Sequence, residues 1–235
     1  MKQAIKGRLG YRPLDETRAV RDALSSLSSL SGQPVCPPWE GDLIHETLNE
    51  LEATACLEIG FHTGSTAAYM LNALRGRGGS VTSIEPHPKD ARGYETVVAF
   101  DSGLAQHDVI EARSDEALPR LLAEGRKFDF IFIDGWKTLD ALFVDAYYAT
   151  RLLRTGGVLF FDDHHMPSVR TTVRMLRSHY GYEPMSPLPS HAGAGFRLYL
   201  ALISGTRHMP FVRIRKTLGD AEAPAARDWN FSAPI

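Results

Sequence analysis

Between residues 55 and 179, five short apolar runs alternate with five segments of helical period. No other feature narrows the fold as far. Ala55–Ile59, Ser80–Ile84, Val109–Ile110, Phe128–Ile133 and Val158–Phe161 read as strands. Helices are expected near 67–74, 90–104, 115–124, 139–153 and 168–179, the first on the spacing of Ala67, Met70, Leu71 and Leu74. Phe128–Ile133 is apolar almost throughout, as a strand is when helices cover both its faces. Such a repeat with right-handed crossovers predicts an α/β, doubly wound parallel sheet. After residue 180 the alternation breaks. Tyr182–Met185 and Phe196–Ile203, separated by PLPSHAGAG, predict an antiparallel pair of strands at one edge. Upstream, residues 14–30 predict an amphipathic helix and 31–41 a breaker segment. Asp42 is then placed to cap the helix DLIHETLNELE, with Glu46 near the capping-box position. The expected organisation is a helical extension over 1–50, a core over 51–204 and a tail over 205–235.

A chain of 235 residues, 43% hydrophobic, can bury a substantial core. Its 26 basic residues stand against 28 acidic ones, which argues against a nucleic-acid footprint. Only RIRK at 213–216 offers a local basic patch. Cys56 lies in an apolar run and reads as a small buried hydrophobe, so no disulfide framework is expected. No apolar run reaches 18 residues, and MKQAIKGRLGYRP is not followed by an apolar stretch. The expectation is a cytoplasmic protein without membrane contact. The amphipathic N-terminal helix and the tail admit a homodimer.

The first strand ends in LEIGFHTGS. Gly60 and Gly64 suit a turn in which backbone passes close to a ligand. Their spacing is not G-x-G-x-x-G, which argues against a dinucleotide-dependent oxidoreductase. Glu85 ends the second strand, where a carboxylate suits the two hydroxyls of a ribose. The fourth strand ends in Asp134 and the fifth in Asp162 and Asp163.

In LEIGFHTGS, SIEP, SDEALPRL, FIDGWKTLD and LLRTGGVLFFDD, residues 40–203 resemble the class I S-adenosylmethionine-dependent methyltransferases. More narrowly, they resemble the small-molecule O-methyltransferases of the catechol and caffeoyl-CoA types. The resemblance implies a seven-stranded, mostly parallel sheet with an antiparallel last strand. It implies that Glu58, Gly60 and Gly64 surround the methionine end of the cofactor, and that Ser65 helps hold its carboxylate. Glu85 would take the ribose, Ser114 and Asp115 would lie near the adenine, and Asp134 would serve both cofactor and metal. Trp136 would wall the acceptor pocket and Lys137 would act as base. The family's Asp-Asn pair is Asp162-Asp163 here, a departure that adds charge. A related group carries IDG-x-H followed by GG-x-x-x-x-DD and accepts sugars or natural-product scaffolds; Lys137 stands where that group has His.

In the family's sheet order the fourth and fifth strands are neighbours, so Asp134, Asp162 and Asp163 would meet. Crowded carboxylates resist ionisation, and a divalent cation relieves them. Oxygen-only ligation suits Mg²⁺. The chemistry implied is methyl transfer to a hydroxyl of a small molecule, with a metal stabilising the oxyanion and Lys137 taking the proton. His62, His164 and His165 are expected on the same rim, and either of the last two is an alternative base. The competing readings are a metal-independent O- or N-methyltransferase and a non-catalytic partner protein that keeps the fold.

Overall fold

The computed structural model describes residues 11–27, 32–88, 93–100, 107–203 and 209–219. Two helices, α1 (Arg18–Ser26) and α2 (Pro38–Glu50), precede the sheet. The alternation then runs β1 (Ala55–Ile59), α3 (Ser65–Leu74), β2 (Ser80–Ile84), α4 (Gly93–Phe100), β3 (His107–Ile110) and α5 (Ser114–Ala123). It continues with β4 (Phe128–Ile133), α6 (Leu139–Leu152), β5 (Leu153–Phe161) and α7 (Pro167–His179). Last come β6 (Tyr182–Pro184), α8 (Ala194–Ile203) and β7 (Val212–Lys216). The helix expected over 90–104 is α4; residues 89–92 and 101–106 lie outside the described residues, as do 28–30 of the first expected helix.

The seven strands lie in the order β3-β2-β1-β4-β5-β7-β6. Pairings are parallel from β3 through β5, and β7 is antiparallel to both β5 and β6. Strand periodicity divides the core. Phe130, Phe132, Val158 and Phe160 pack on one face with α2, α3 and α8, while Ile131, Ile133, Leu159 and Phe161 pack on the other with α5, α6 and α7. Each central strand is therefore apolar on both sides. The order reverses between β1 and β4, so the crevice for a ligand opens above their carboxyl ends.

Four expectations are corrected. Phe196–Ile203 is helical, not a strand; α8 buries Phe196 and Leu200, one turn apart, and leaves Leu198 and Leu202 exposed. The partner of β6 is β7, so the sheet extends beyond residue 204 into the segment read as a tail. Its RIRK is no basic patch either. Arg213 and Lys216 are buried, and Arg215 donates to Glu50 at 2.5 Å. Finally, α2 begins at Pro38, and Asp42 caps nothing. It lies fully buried, accepting from the Tyr11 hydroxyl (2.7 Å), the Leu14 amide (2.9 Å) and the Thr17 hydroxyl (2.5 Å). Those bonds fasten the N-terminal segment to the core. Cys36 and Cys56 are both buried free thiols. Among the described residues, no helix is long and apolar enough to cross a membrane.

Candidate active site

The turn after β1 owes its shape to glycine. Gly60 has φ +96°, and a Cβ there would lie 2.6 Å from the Asp134 carbonyl oxygen. Gly64, at φ +68°, opens α3. The Gly60 amide donates to Ile84 O at 3.0 Å, and the Asp134 amide to Ile59 O at 2.9 Å. The ladder is carried past the strand ends, and the Asp162 amide extends it by donating to Ile133 O at 3.3 Å. The three tips are thereby locked side by side.

Above them lies a cleft of about 1040 Å³, lined by Pro34–Pro37, the β1–α3 turn, Glu85, Arg113–Asp115 and Asp134–Thr138. That volume accommodates a nucleoside and a second small molecule. Glu85 is oriented by two amides, His62 N and His87 N, each donating at 3.1 Å. His62 itself has φ +38° and lines the cleft. Ser114 and Asp115 line it at the far end, where Arg113 Nε donates to Asp115 at 2.9 Å and holds that carboxyl below its ordinary range. The Ser65 hydroxyl accepts from the Cys36 amide (2.8 Å) and sits 3.1 Å from the Thr63 hydroxyl. It ties the N-terminal segment to the glycine turn.

Glu58 stands behind the wall rather than on it. It is fully buried and accepts from the Ser83 hydroxyl at 2.6 Å, and Ser83 in turn lies 2.9 Å from His107 Nε2. Burial pushes its carboxyl well above the ordinary value, against the pull of Ser83. His164 and His165, expected on the rim, are not among the lining residues; the His164 amide donates to Pro210 O at 2.7 Å.

Asp134, Asp162 and Asp163 each offer an oxygen within 4.8 Å of the others. Asp163 takes φ +54°, a left-handed conformation that Asp tolerates better than most residues. Lys137 Nζ sits 2.6 Å from Asp134 Oδ1 and 3.7 Å from Asp163 Oδ2. Burial, then Asp134 and Asp163, push the Asp162 carboxyl up to about 7. Asp134 is also raised, by burial first, with Lys137 opposing. Burial alone would lower the Lys137 ammonium, but its carboxylate neighbours outweigh that and raise it. The lysine is therefore held as a cation, not as a free amine. Trp136 stands 77% exposed on the rim.

Two residues, one lining the cleft and one buried beside Gly135, are not singled out in the sequence. Glu40, in the first turn of α2, lines the cleft at 4% exposure, and its Oε1 has no hydrogen-bond partner. Burial first, then Asp162 and Asp134, hold its carboxyl well above the ordinary range. In the sequence it belongs to the Pro-rich breaker segment, which conceals it. Asp145 on α6 is 1% exposed; an added Cβ on Gly135 would meet its Oδ2 at 3.4 Å. The available signal is its place on the buried helix face between Leu142 and Ala146.

Residues 57–164 match the family described as "Methyltransferase domain". A curated relative from Mycobacterium sp. (strain JLS), named "Putative O-methyltransferase", is 30% identical over 129 residues, 54% of this chain and 56% of that protein. A counterpart of the same name from strain KMS is 28% identical over the same length. The match thus spans about half the length of these relatives. Among solved structures, an O-methyltransferase from Bacillus cereus in complex with SAH superposes with a TM-score of 0.66 at 17% identity, covering 91% of this chain and 98% of that one. TomG from Streptomyces achromogenes, an O-methyltransferase of tomaymycin synthesis solved with SAM, gives 0.62 at 19% identity, covering 93% and 100%. The fold is the Rossmann-like methyltransferase fold.

Proposed function

We propose that this chain is an S-adenosylmethionine-dependent O-methyltransferase acting on a small hydroxylated molecule. The observation that carries the reading is one continuous cleft at the β1/β4 reversal. It brings together the glycine turn, the amide-oriented Glu85 and the Asp134–Lys137 cluster. The relatives' names agree with it.

The cofactor fits the residues present. Gly60 lets the β1–α3 turn close against the Asp134 backbone at the cleft floor, Glu85 offers paired acceptors to a ribose, and Thr63 and Ser65 offer hydroxyls to a carboxylate. Ser114 and Asp115 would flank the base. In the transfer, the bond from methyl carbon to sulfur breaks as a carbon–oxygen bond forms, and the acceptor hydroxyl gives up its proton. Alignment of the two molecules in the cleft supplies much of the rate. Lys137 is the residue placed to take the proton as a neutral amine, its ammonium having first given a proton to solvent when Asp134 turns to another partner, and Trp136 would wall the acceptor.

A divalent cation fits the three-carboxylate cluster, and Asp134, Asp162 and Asp163 would hold it. When bound it would supply Lewis-acid stabilisation of the acceptor oxygen. One observation favours a second, metal-independent reading. The Lys137 ammonium already lies 2.6 Å from Asp134 and supplies positive charge there.

The test is a panel of hydroxylated acceptors assayed by methyl transfer, with and without chelator, on the wild type, Asp162→Asn and Lys137→Ala. The metal-assisted reading expects chelator and Asp162→Asn each to remove most turnover. Full activity in both selects the metal-independent form. Near-normal turnover in Lys137→Ala ends its assignment as base. Failure to bind S-adenosylmethionine or S-adenosylhomocysteine by calorimetry ends the whole proposal.

A further inference from the structure

Glu40 is anchored where it cannot turn to water. The residue after it, Gly41, packs so closely on the Tyr69 ring that no side chain fits there. Asp42, one residue further, is pinned by Tyr11 and Thr17. On the other side, the Cys36 amide is fixed to Ser65 Oγ. The Glu40 carboxylate is therefore held against the cleft with Oε1 buried and undonated. A buried acceptor left in this state costs roughly 1–3 kcal/mol, more if charged. The α2 N-terminus offsets part of that.

The surroundings define the missing partner. The charged groups that act on Glu40 are Asp162, Asp134 and Asp163, together with one cation, Lys137, whose Nζ is already bonded to Asp134. A group that meets Glu40 Oε1 in this cleft must donate a hydrogen bond, and beside the three clustered carboxylates a positively charged donor is the complement. Glu40 lines the cleft alongside Ser65 and Thr66, the hydroxyl-bearing end suited to an amino-acid carboxylate.

We propose that Glu40 binds the α-ammonium of the cofactor's methionyl end, as a positioning residue supplied by the N-terminal extension. This rests on the cofactor reading above. Adenosine-type ligands that lack the amino-acid end would not feel it.

Calorimetry on the full chain tests it with S-adenosylhomocysteine, S-adenosylmethionine and 5′-methylthioadenosine, comparing wild type with Glu40→Gln. The expected result is a loss of about tenfold or more for the first two, as for one charge-assisted hydrogen bond, and no change for the third. Glu40→Asp, which keeps the charge one methylene short, is expected to recover part of the loss. The thermal midpoint of the ligand-free Glu40→Gln protein is expected not to fall, since the buried Oε1 has no donor to lose. An equal loss for all three ligands, or no loss for any, overturns the assignment. So does a result in which only Mn²⁺ affinity falls, which would make Glu40 a metal ligand. Failure of the wild type to bind S-adenosylhomocysteine would instead overturn the cofactor reading beneath it.

Discussion

Asp145 places a carboxyl among Leu142, Ala146 and Ala149 on the buried face of α6, and burial raises it from 3.8 to about 6. A carboxyl raised in the folded state binds its proton more tightly there than in the unfolded chain. Its contribution therefore falls as pH rises from about 4 to about 6, and the penalty stays in full above that. At about 1.4 kcal/mol for each pH unit, the penalty is about 3 kcal/mol. Asp145→Asn is expected to be the more stable protein at pH 7.5, with the difference from wild type vanishing near pH 4. Urea melts across that range measure it. A difference independent of pH would show that the residue is not titrating. Gly60 gives a second residue-scale expectation. In Gly60→Ala the new methyl meets Asp134 O at 2.6 Å with φ at +96°, so stability should fall by about 1–3 kcal/mol or more and S-adenosylhomocysteine affinity with it. Denaturation and calorimetry read the two effects. Gly60, Glu85 and Asp134 are legible in the sequence because each sits where an apolar run stops. Glu40 and Asp145 are not, because what surrounds an acid within a helix depends on which elements pack against it.

At the scale of elements, legibility follows how a segment satisfies its polar groups. β4 and β5 announce themselves because, beyond the Asp129–Arg154 pair near their entry, only apolar contact is asked of them. β7 hides because VRIRK alternates charge with branched residues, and its charges are spent on partners within the fold. Lys216 Nζ donates to Thr150 O at 2.7 Å and Leu153 O at 3.0 Å, where α6 ends and β5 begins. Arg213 donates to Ser186 O at 2.7 Å and to the Thr47 hydroxyl at 2.8 Å. A cation at a helix C-terminus also meets the negative end of its dipole. Lys216→Met, which keeps the length of the stem, is expected to lose about 2–4 kcal/mol by stranding two buried carbonyls. A melt within 0.5 kcal/mol of wild type would deny Lys216 that capping role. α8 resembles a strand in sequence for a different reason. A ten-residue apolar run fits either period, and the contacts of Phe196 and Leu200, not local preference, decide it.

Over the whole molecule, the sheet supplies the cleft's floor and the N-terminal extension supplies one wall. Pro34–Pro37 and Glu40 line the cavity, yet residues 11–17 are secured to the core largely through one buried carboxylate, Asp42. The tether continues outward. Tyr11 stacks on Phe196 of α8 at 4.4 Å, and Glu46 on α2 accepts from the Ser190 amide and hydroxyl, both at 2.8 Å. The extension, α2 and the 187–195 loop thus form one layer, whose Pro34–Pro37 and Glu40 border the cleft. Asp42→Asn replaces an acceptor oxygen with a donor facing the donors of Tyr11, Leu14 and Thr17, at a cost of about 2–4 kcal/mol to that layer. Amide exchange should accelerate across 11–20 and 36–45 while β1, β4 and β5 stay protected, because their ladder does not involve Asp42. If the layer is part of the binding site, S-adenosylhomocysteine affinity drops with the lost protection, and added ligand restores the protection by mass action. Faster exchange with unchanged affinity would reduce the extension to a cover that the cofactor does not touch.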